Sequence, residues 1–175
     1  MISASCKWRR DQNYYNQSYW RGKRKLDGGV LMNQAIHHID LLIYLCGDVK
    51  EVMGFGDTRF VNMESENISV ASIKFKNKAL GVLEATTATA PSDFEGSLTI
   101  LGSKGTLKIS GFASNKLTYF KDFENGHYKF YEYVSSYLKS GKTKINEFDI
   151  NSSIKSVMLV EKIVKSFKSK KVEKV

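Results

Sequence analysis

Between Gly28 and Gly47 the chain reads GGVLMNQAIHHIDLLIYLCG, an apolar segment crossed by one line of polar residues. Val30, Leu31, Ile36, Ile39, Leu42 and Ile43 recur three and four residues apart, which predicts a helix over about 31–46. Gly28-Gly29 permits a tight entry to it, and Gly47 stands where a C-cap belongs. On that helix Asn33, His37, Asp40 and Tyr44 share a face, whereas His38 points roughly 100 degrees away. Such a line has to face something polar. One reading is structural, an imidazole satisfied within the fold and held by Asp40 a turn away; the other is a reactive or ligand-binding surface.

Elsewhere the period is two. Segments 2–8, 51–58, 68–76, 79–87, 96–101, 106–110 and 116–120 are rich in Val, Ile, Thr and Phe and read as strands. In ISVASIKFK, Ser69, Ala71, Ile73 and Phe75 fall on one side and Ile68, Val70, Ser72, Lys74 and Lys76 on the other. Asn77-Lys78 and the stretch Gly102 to Gly105 are turns between neighbouring strands, so the pairing is largely antiparallel. From His127 the period returns to that of a helix, with Phe130, Tyr133, Val134, Tyr137 and Leu138 leading to Gly141. A last amphipathic helix carries Ile154, Val157, Met158, Val160 and Val164, with Asn151 or Ser152 as its cap. These elements predict an α+β fold, an open, mainly antiparallel sheet of about six strands covered by helices. Residues 1–175 form a single domain.

The 42% hydrophobic and 12% aromatic content excludes a disordered chain. Cys6 and Cys46 offer neither a zinc ligand set nor a disulfide framework, so no metal is expected and a reducing, cytoplasmic setting is. The N-terminal MISASCKWRR has no apolar core of a secretory signal, and the apolar run is too short for a membrane span. Neither Gly102-Ser-Lys-Gly105 nor Gly54-Phe-Gly56 has the spacing or setting of a phosphate loop or dinucleotide fingerprint.

The formal charge is +9, of which residues 1–25 carry +6 and residues 165–175 carry +4, so the chain between them is −1. The C-terminal patch reads as a solvated helix end whose cations favour the dipole. The N-terminal patch interleaves Arg9, Arg10 and Arg21 with Trp8, Tyr14, Tyr15, Tyr19 and Trp20. Guanidinium and aromatic groups together suit a planar anionic small ligand, and they also suit single-stranded nucleic acid.

With KWRRDQNYYNQSYWRGKRKLDGGVLMNQAIHHIDLLIYLCGDV in view, the chain resembles the C-terminal domain of the Gfo/Idh/MocA oxidoreductases. The pattern W-R, a spacer, then G-G-x-L-x-[DN]-x-[GA]-x-H-x-x-D is met by Trp20-Arg21, Gly28-Gly29, Leu31, Asn33, Ala35, His37 and Asp40. Asn stands where the family more often has Asp. With YYNQSYWRGK ahead and NGHYKFYEYV behind, the resemblance is strongest to the branch that oxidises UDP-N-acetyl-2-amino-2-deoxyglucuronate at C3. Family members begin with a Rossmann domain that binds the cofactor; this sequence shows none, and resembles the substrate-binding and oligomerisation half alone.

The resemblance implies an NAD-dependent dehydrogenase of a UDP-sugar, in the biosynthesis of lipopolysaccharide or O-antigen, with His37 as general base or proton relay. It implies Asn33 as the group holding the substrate hydroxyl or ring substituents, and Asp40 as a partner that orients His37 or a structural one. Arg10, Tyr14 and Tyr15 become substrate contacts: a pyrophosphate and a carboxylate take guanidinium forks, and a uracil takes an aromatic face. Trp20 and Arg21 fall on the cofactor side, where their other readings are core packing and a surface ion pair. The domain alone would then be inactive until a Rossmann half is supplied in trans or in a longer chain. The competing expectations are an assembly module that makes a homo-oligomer through an apolar sheet face, an inactive fragment, or nucleic-acid binding, which the charge distribution disfavours.

Overall fold

The computed structural model describes residues 1–111, 115–122 and 150–175. The helix expected from Phe130 to Gly141, the loop after it and His127 lie outside them. The strands are β1 (Ile2–Lys7), β2 (Val49–Asp57), β3 (Ile68–Phe75), β4 (Leu80–Thr86), β5 (Glu95–Leu101), β6 (Gly105–Ser110), β7 (Lys116–Asp122) and β8 (Glu173–Lys174). They form one eight-stranded sheet in the order β7-β6-β5-β1-β4-β3-β2-β8. Period-two alternation builds its middle: Ser69, Ala71, Ile73 and Phe75 of β3 are all buried, and Val70, Ser72 and Lys74 are exposed. β2, β3 and β4 pair antiparallel, β3 and β4 through a short turn and β2 and β3 through the loop 58–67, and β1 enters between β4 and β5, parallel to β4.

The class is as the pattern predicts, but the sheet is wider than six strands. Part of the difference is the basic tail, which is not simply a solvated helix end. Lys170 turns back at φ 54, and Glu51 and Val52 of β2 pair antiparallel with Lys174 and Glu173. The Glu173 carboxylate anchors this turn, accepting from Lys165 Nζ at 2.7 Å and Ser169 Oγ at 3.0 Å.

The helices α1 (Gln12–Asn16), α2 (Val30–Asn33), α3 (Ile36–Cys46) and α4 (Ile150–Ser169) complete the described elements. α4 already includes Asn151 and Ser152, which therefore lie inside its first turn rather than ahead of it as caps. Leu31, Ile39 and Leu42 meet Leu83, Leu98 and Phe75 of the sheet and Leu159 and Ile163 of α4 in one core. Each side chain of this size, fully buried, contributes about 1.5–3 kcal/mol.

The segment expected as one helix over 31–46 is two. At the break the Ala35 N–H reaches back five residues to the Val30 carbonyl at 2.8 Å. This wide turn adds a residue, and Gln34 and Ala35 are both buried there. The entry is built on Gly29, whose φ of +86° only glycine adopts freely and whose missing Cβ leaves room for the Glu66 carboxylate. Glu66 in turn caps α2 from across the chain, its backbone O accepting from Val30 N at 2.9 Å and its Oε1 from Leu31 N at 3.4 Å.

The opposite sheet face is open among the described residues, and it is not the large apolar surface the sequence suggests. Its middle is hydroxyls and ion pairs: Lys7 bridges Glu84 at 2.9 Å and Glu95 at 3.5 Å, beside Ser5 and Ser97. Exposed Phe55, Leu80 and Leu101 lie toward its margins, and exposed Val70 stands opposite Glu84. No helix among the described residues is long and apolar enough to cross a membrane.

Candidate functional site

The chain leaves β1 at Lys7 and turns through Trp8, Arg9 and Arg10 into α1, which Asp11 caps by accepting from the Tyr14 N–H at 3.1 Å. This short helix stands its rings beside guanidinium groups. Arg10 lies 5.2 Å from the Trp8 ring and 5.3 Å from that of Tyr14; Arg21 lies 4.1 Å from Tyr14 and 5.4 Å from Trp20. The result is a ladder, Trp8, Arg10, Tyr14, Arg21, Trp20, in which cations alternate with aromatic faces.

The rungs are pinned by other segments. Asp93 accepts from the Arg9 N–H and from Arg10 Nη1, the latter at 3.1 Å. Arg21 Nη1 donates to the Tyr14 carbonyl at 3.0 Å and to Gln17 Oε1 at 2.5 Å. Among the described residues Arg21 has no carboxylate partner, so it is not the surface ion pair considered above. Trp20 is 36% exposed and is not core packing either. Tyr15 instead turns inward and shares a 2.9 Å hydrogen bond with Thr87; burial raises its pKa.

The break divides the polar line, Asn33 ending α2 and His37, Asp40 and Tyr44 following on α3. Asn33 and Asp40 are half-buried, His37 and Tyr44 are exposed, and the stripe Leu31, Gln34, Ala35, His38, Ile39, Leu42 faces the core. Asp40 Oδ1 accepts from Ser156 Oγ of α4 at 2.8 Å, a partner other than His37. Asn33 Nδ2 donates to Asp27 Oδ1. Asp27 is 7% exposed, and its other oxygen accepts from the Gly22 N–H at 2.6 Å.

His38 is fully buried, its ring edge-on to Trp8 with centroids 6.4 Å apart. Neither ring nitrogen has a hydrogen-bond partner among the described residues. Burial, and then the neighbouring His37, push its pKa down. Gly96 of β5 leaves room for it, since a Cβ there would lie 3.1 Å from Nε2. Asp27, between Gly22 and Asn33, joins the loop that carries Arg21 to the polar line, and His38 ties Trp8 to the core-facing side of the same helix. Arg10, Tyr14, Trp20 and Arg21 come together in the ladder, whereas Asn33 and Asp40 are held by separate partners, Asp27 and Ser156.

The residues missed in the sequence are those that fasten these groups, namely Asp27, Asp93, Thr87 and Ser156. Only Asp27 left a local signal, an acidic residue just ahead of Gly28-Gly29.

The domain is α+β and sets a basic, aromatic loop beside a polar helix. The chain belongs to the GFO/IDH/MocA C-terminal domain family, whose profile matches residues 1–108. It is 35% identical to the WlbA dehydrogenase of Bordetella pertussis, solved in complex with NADH and UDP-GlcNAcA, with a TM-score of 0.85 over 100% of this chain and 54% of that one. The WlbA dehydrogenase of Chromobacterium violaceum, in complex with the same two ligands, is 32% identical with a TM-score of 0.85, again over 100% of this chain and 54% of that one. Levoglucosan dehydrogenase in complex with NADH and levoglucosan, 16% identical with a TM-score of 0.67 over 99% of this chain and 58% of its own, shares the fold. The chain thus spans about half the length of these solved relatives. Comparison with curated proteins gives no match.

Proposed function

We propose that this chain is the substrate-binding domain of an NAD-dependent dehydrogenase that oxidises UDP-N-acetyl-glucosaminuronate at C3, in surface polysaccharide biosynthesis. What carries the reading is its similarity over the full chain to two WlbA dehydrogenases, at 35% and 32% identity. The side chains fit that chemistry. Oxidising a secondary alcohol removes a proton from oxygen and a hydride from carbon. His37, exposed on the polar line, takes the hydroxyl proton, and the ketone forms as the C–H bond breaks. Asn33 holds the reacting hydroxyl or its neighbour. Asp40, tied to Ser156, fixes the helix face on which His37 stands.

Arg10, with Tyr14 stacked against it, meets the charges and the uracil of the sugar nucleotide, and Tyr15 supports them from Thr87. NAD, when bound, supplies the hydride acceptor. Trp20 and Arg21 suit its edge: an exposed aromatic face and a stacked guanidinium without a carboxylate partner among the described residues. The rest of the cofactor falls to a Rossmann half, in the same polypeptide or in trans.

General-base catalysis is worth about 10²–10⁴ in rate. His37→Ala in this domain joined to a family cofactor domain therefore lowers turnover of UDP-N-acetyl-glucosaminuronate by roughly 100-fold or more. Turnover within a few fold of the parent removes His37 as the base. A second reading, an assembly module without catalysis, draws on exposed Phe55, Val70, Leu80 and Leu101 on the open sheet face. Sheet-face association and catalysis are compatible, so only loss of ligand binding would favour that reading.

A further inference from the structure

We propose that Asp27 is the positioning residue of this site: its carboxylate sets the Asn33 amide with the oxygen toward ligand and locks the Arg21 loop to the same helix. The inference rests on the reading of Asn33 as a substrate contact, and adds what presents it.

A carboxylate oxygen accepts and cannot donate, so the group that Asn33 turns to Asp27 must be its NH₂. That fixes the sense of the amide. Asn33 Oδ1, which has no partner among the described residues, is left on the half-buried polar face as a free acceptor. An acceptor is what a substrate hydroxyl needs, because the hydroxyl proton can then be held and pointed before His37 removes it. The second carboxylate oxygen takes the Gly22 N–H, next to Arg21. Gly22 has a φ of +71° and packs on Met63, and its carbonyl accepts from Glu64 N at 2.9 Å, so this loop has little freedom to follow a displaced partner. Asp27 is thus buried, engaged through both oxygens, and shared between the Arg21 loop and Asn33.

The same geometry favours Asn over Asp at position 33. A carboxylate at position 33 would face the buried Asp27 carboxylate with no proton between them, whereas an amide donates into it. Asn33→Asp should therefore be tolerated only together with Asp27→Asn. In Asp27→Asn the amide oxygen can accept from the Gly22 N–H, but its Nδ2 then faces Asn33, whose amide has to flip to accept from it and so turns Nδ2 rather than Oδ1 toward the ligand. In Asn33→Asp two acceptors confront each other. In the double variant D27N/N33D, the amide at position 27 accepts from the Gly22 N–H and donates to the carboxylate at position 33, which still offers an acceptor to the ligand.

The test is a reciprocal cycle on the full chain, wild type, D27N, N33D and D27N/N33D, read by thermal melting, by the Asn side-chain amide resonances, and by calorimetry with UDP-N-acetyl-glucosaminuronate well below every melting temperature. The expected result is a lowered melting temperature in N33D, recovery in the double, and in D27N little loss of stability but a reversed Asn33 amide. In the wild type, the Asn33 amide pair, identified by its loss in N33D, shows one proton shifted downfield and slow to exchange, and D27N abolishes this. Affinity for the sugar nucleotide falls about 10-fold in D27N, the loss of one net hydrogen bond's worth of alignment, and returns in the double variant. Additive melting shifts with an ordinary Asn33 amide resonance would overturn the clamp. Coupled melting with unchanged affinity in D27N would reduce it to a structural bond and overturn the positioning role. If the wild type binds no sugar nucleotide while melting and resonances couple, the clamp stands and the substrate assignment falls.

Discussion

His37 and His38 are neighbours with opposite fates, and the helix decides which is which. On α3 His37 and Tyr44 stay exposed with Asp40 half-buried, and His38 drops into the core beside Trp8 and Gly96. That much follows from 3.6-residue periodicity. The partners do not, because Asp93 reaches Arg10 across 83 residues and Ser156 reaches Asp40 across 116. No local pattern encodes such pairs. Buried His38 also makes a prediction about pH. Its folded pKa lies below the ordinary 6.5, so the unfolded chain binds the proton more tightly. The stability it confers is complete above 6.5 and is lost as pH falls from there toward the folded value. Denaturant titrations of wild type and His38→Leu between about pH 7.5 and 5 should therefore diverge, the wild type losing up to about 1.4 kcal/mol more per pH unit. A difference that stays constant with pH would contradict the burial of a neutral imidazole.

At the level of elements, alternation in β3 and the hairpin at Gly102 to Gly105 were legible because each is decided within a few residues. β8 was not: two residues paired to β2 have no periodicity, and they depend on Lys165 and Ser169 of α4 holding Glu173. The break between α2 and α3 was hidden for a similar reason, since the apolar pattern runs through it and only the Ala35 to Val30 hydrogen bond marks the extra residue. The glycines around this pair of helices offer a controlled comparison. Gly29 and Gly47 both have a φ of +86°, but a Cβ at 29 would overlap the Glu66 carboxylate while at 47 nothing lies within 4 Å. Gly47→Ala should cost only the backbone penalty, on the order of 1–3 kcal/mol, or roughly 2–12 °C in melting temperature for a domain this size. Gly29→Ala should cost more, because it also displaces the cap of α2. Equal melting temperatures for the two variants would show that the Glu66 contact is not what demands glycine there.

Over the whole molecule, one sheet face carries the helices and the site, and the other is open among the described residues, with apolar margins around a charged middle. Homo-oligomer formation through that face predicts a mass above one chain in light scattering, reduced to one chain by Phe55→Glu with Val70→Lys. A monodisperse monomer at high concentration in the unaltered protein would remove the idea. The central claim is different, that the ladder and the polar line together form a site for an acidic sugar nucleotide. Calorimetric titration of this chain with UDP-N-acetyl-glucosaminuronate and with UDP-N-acetylglucosamine tests it most directly. The acid should bind more tightly than the neutral sugar, and Arg10→Ala should weaken it about 10-fold or more, as expected for a charge-assisted contact. Equal affinity for both ligands, or binding of the acid that Arg10→Ala leaves unchanged, would contradict it.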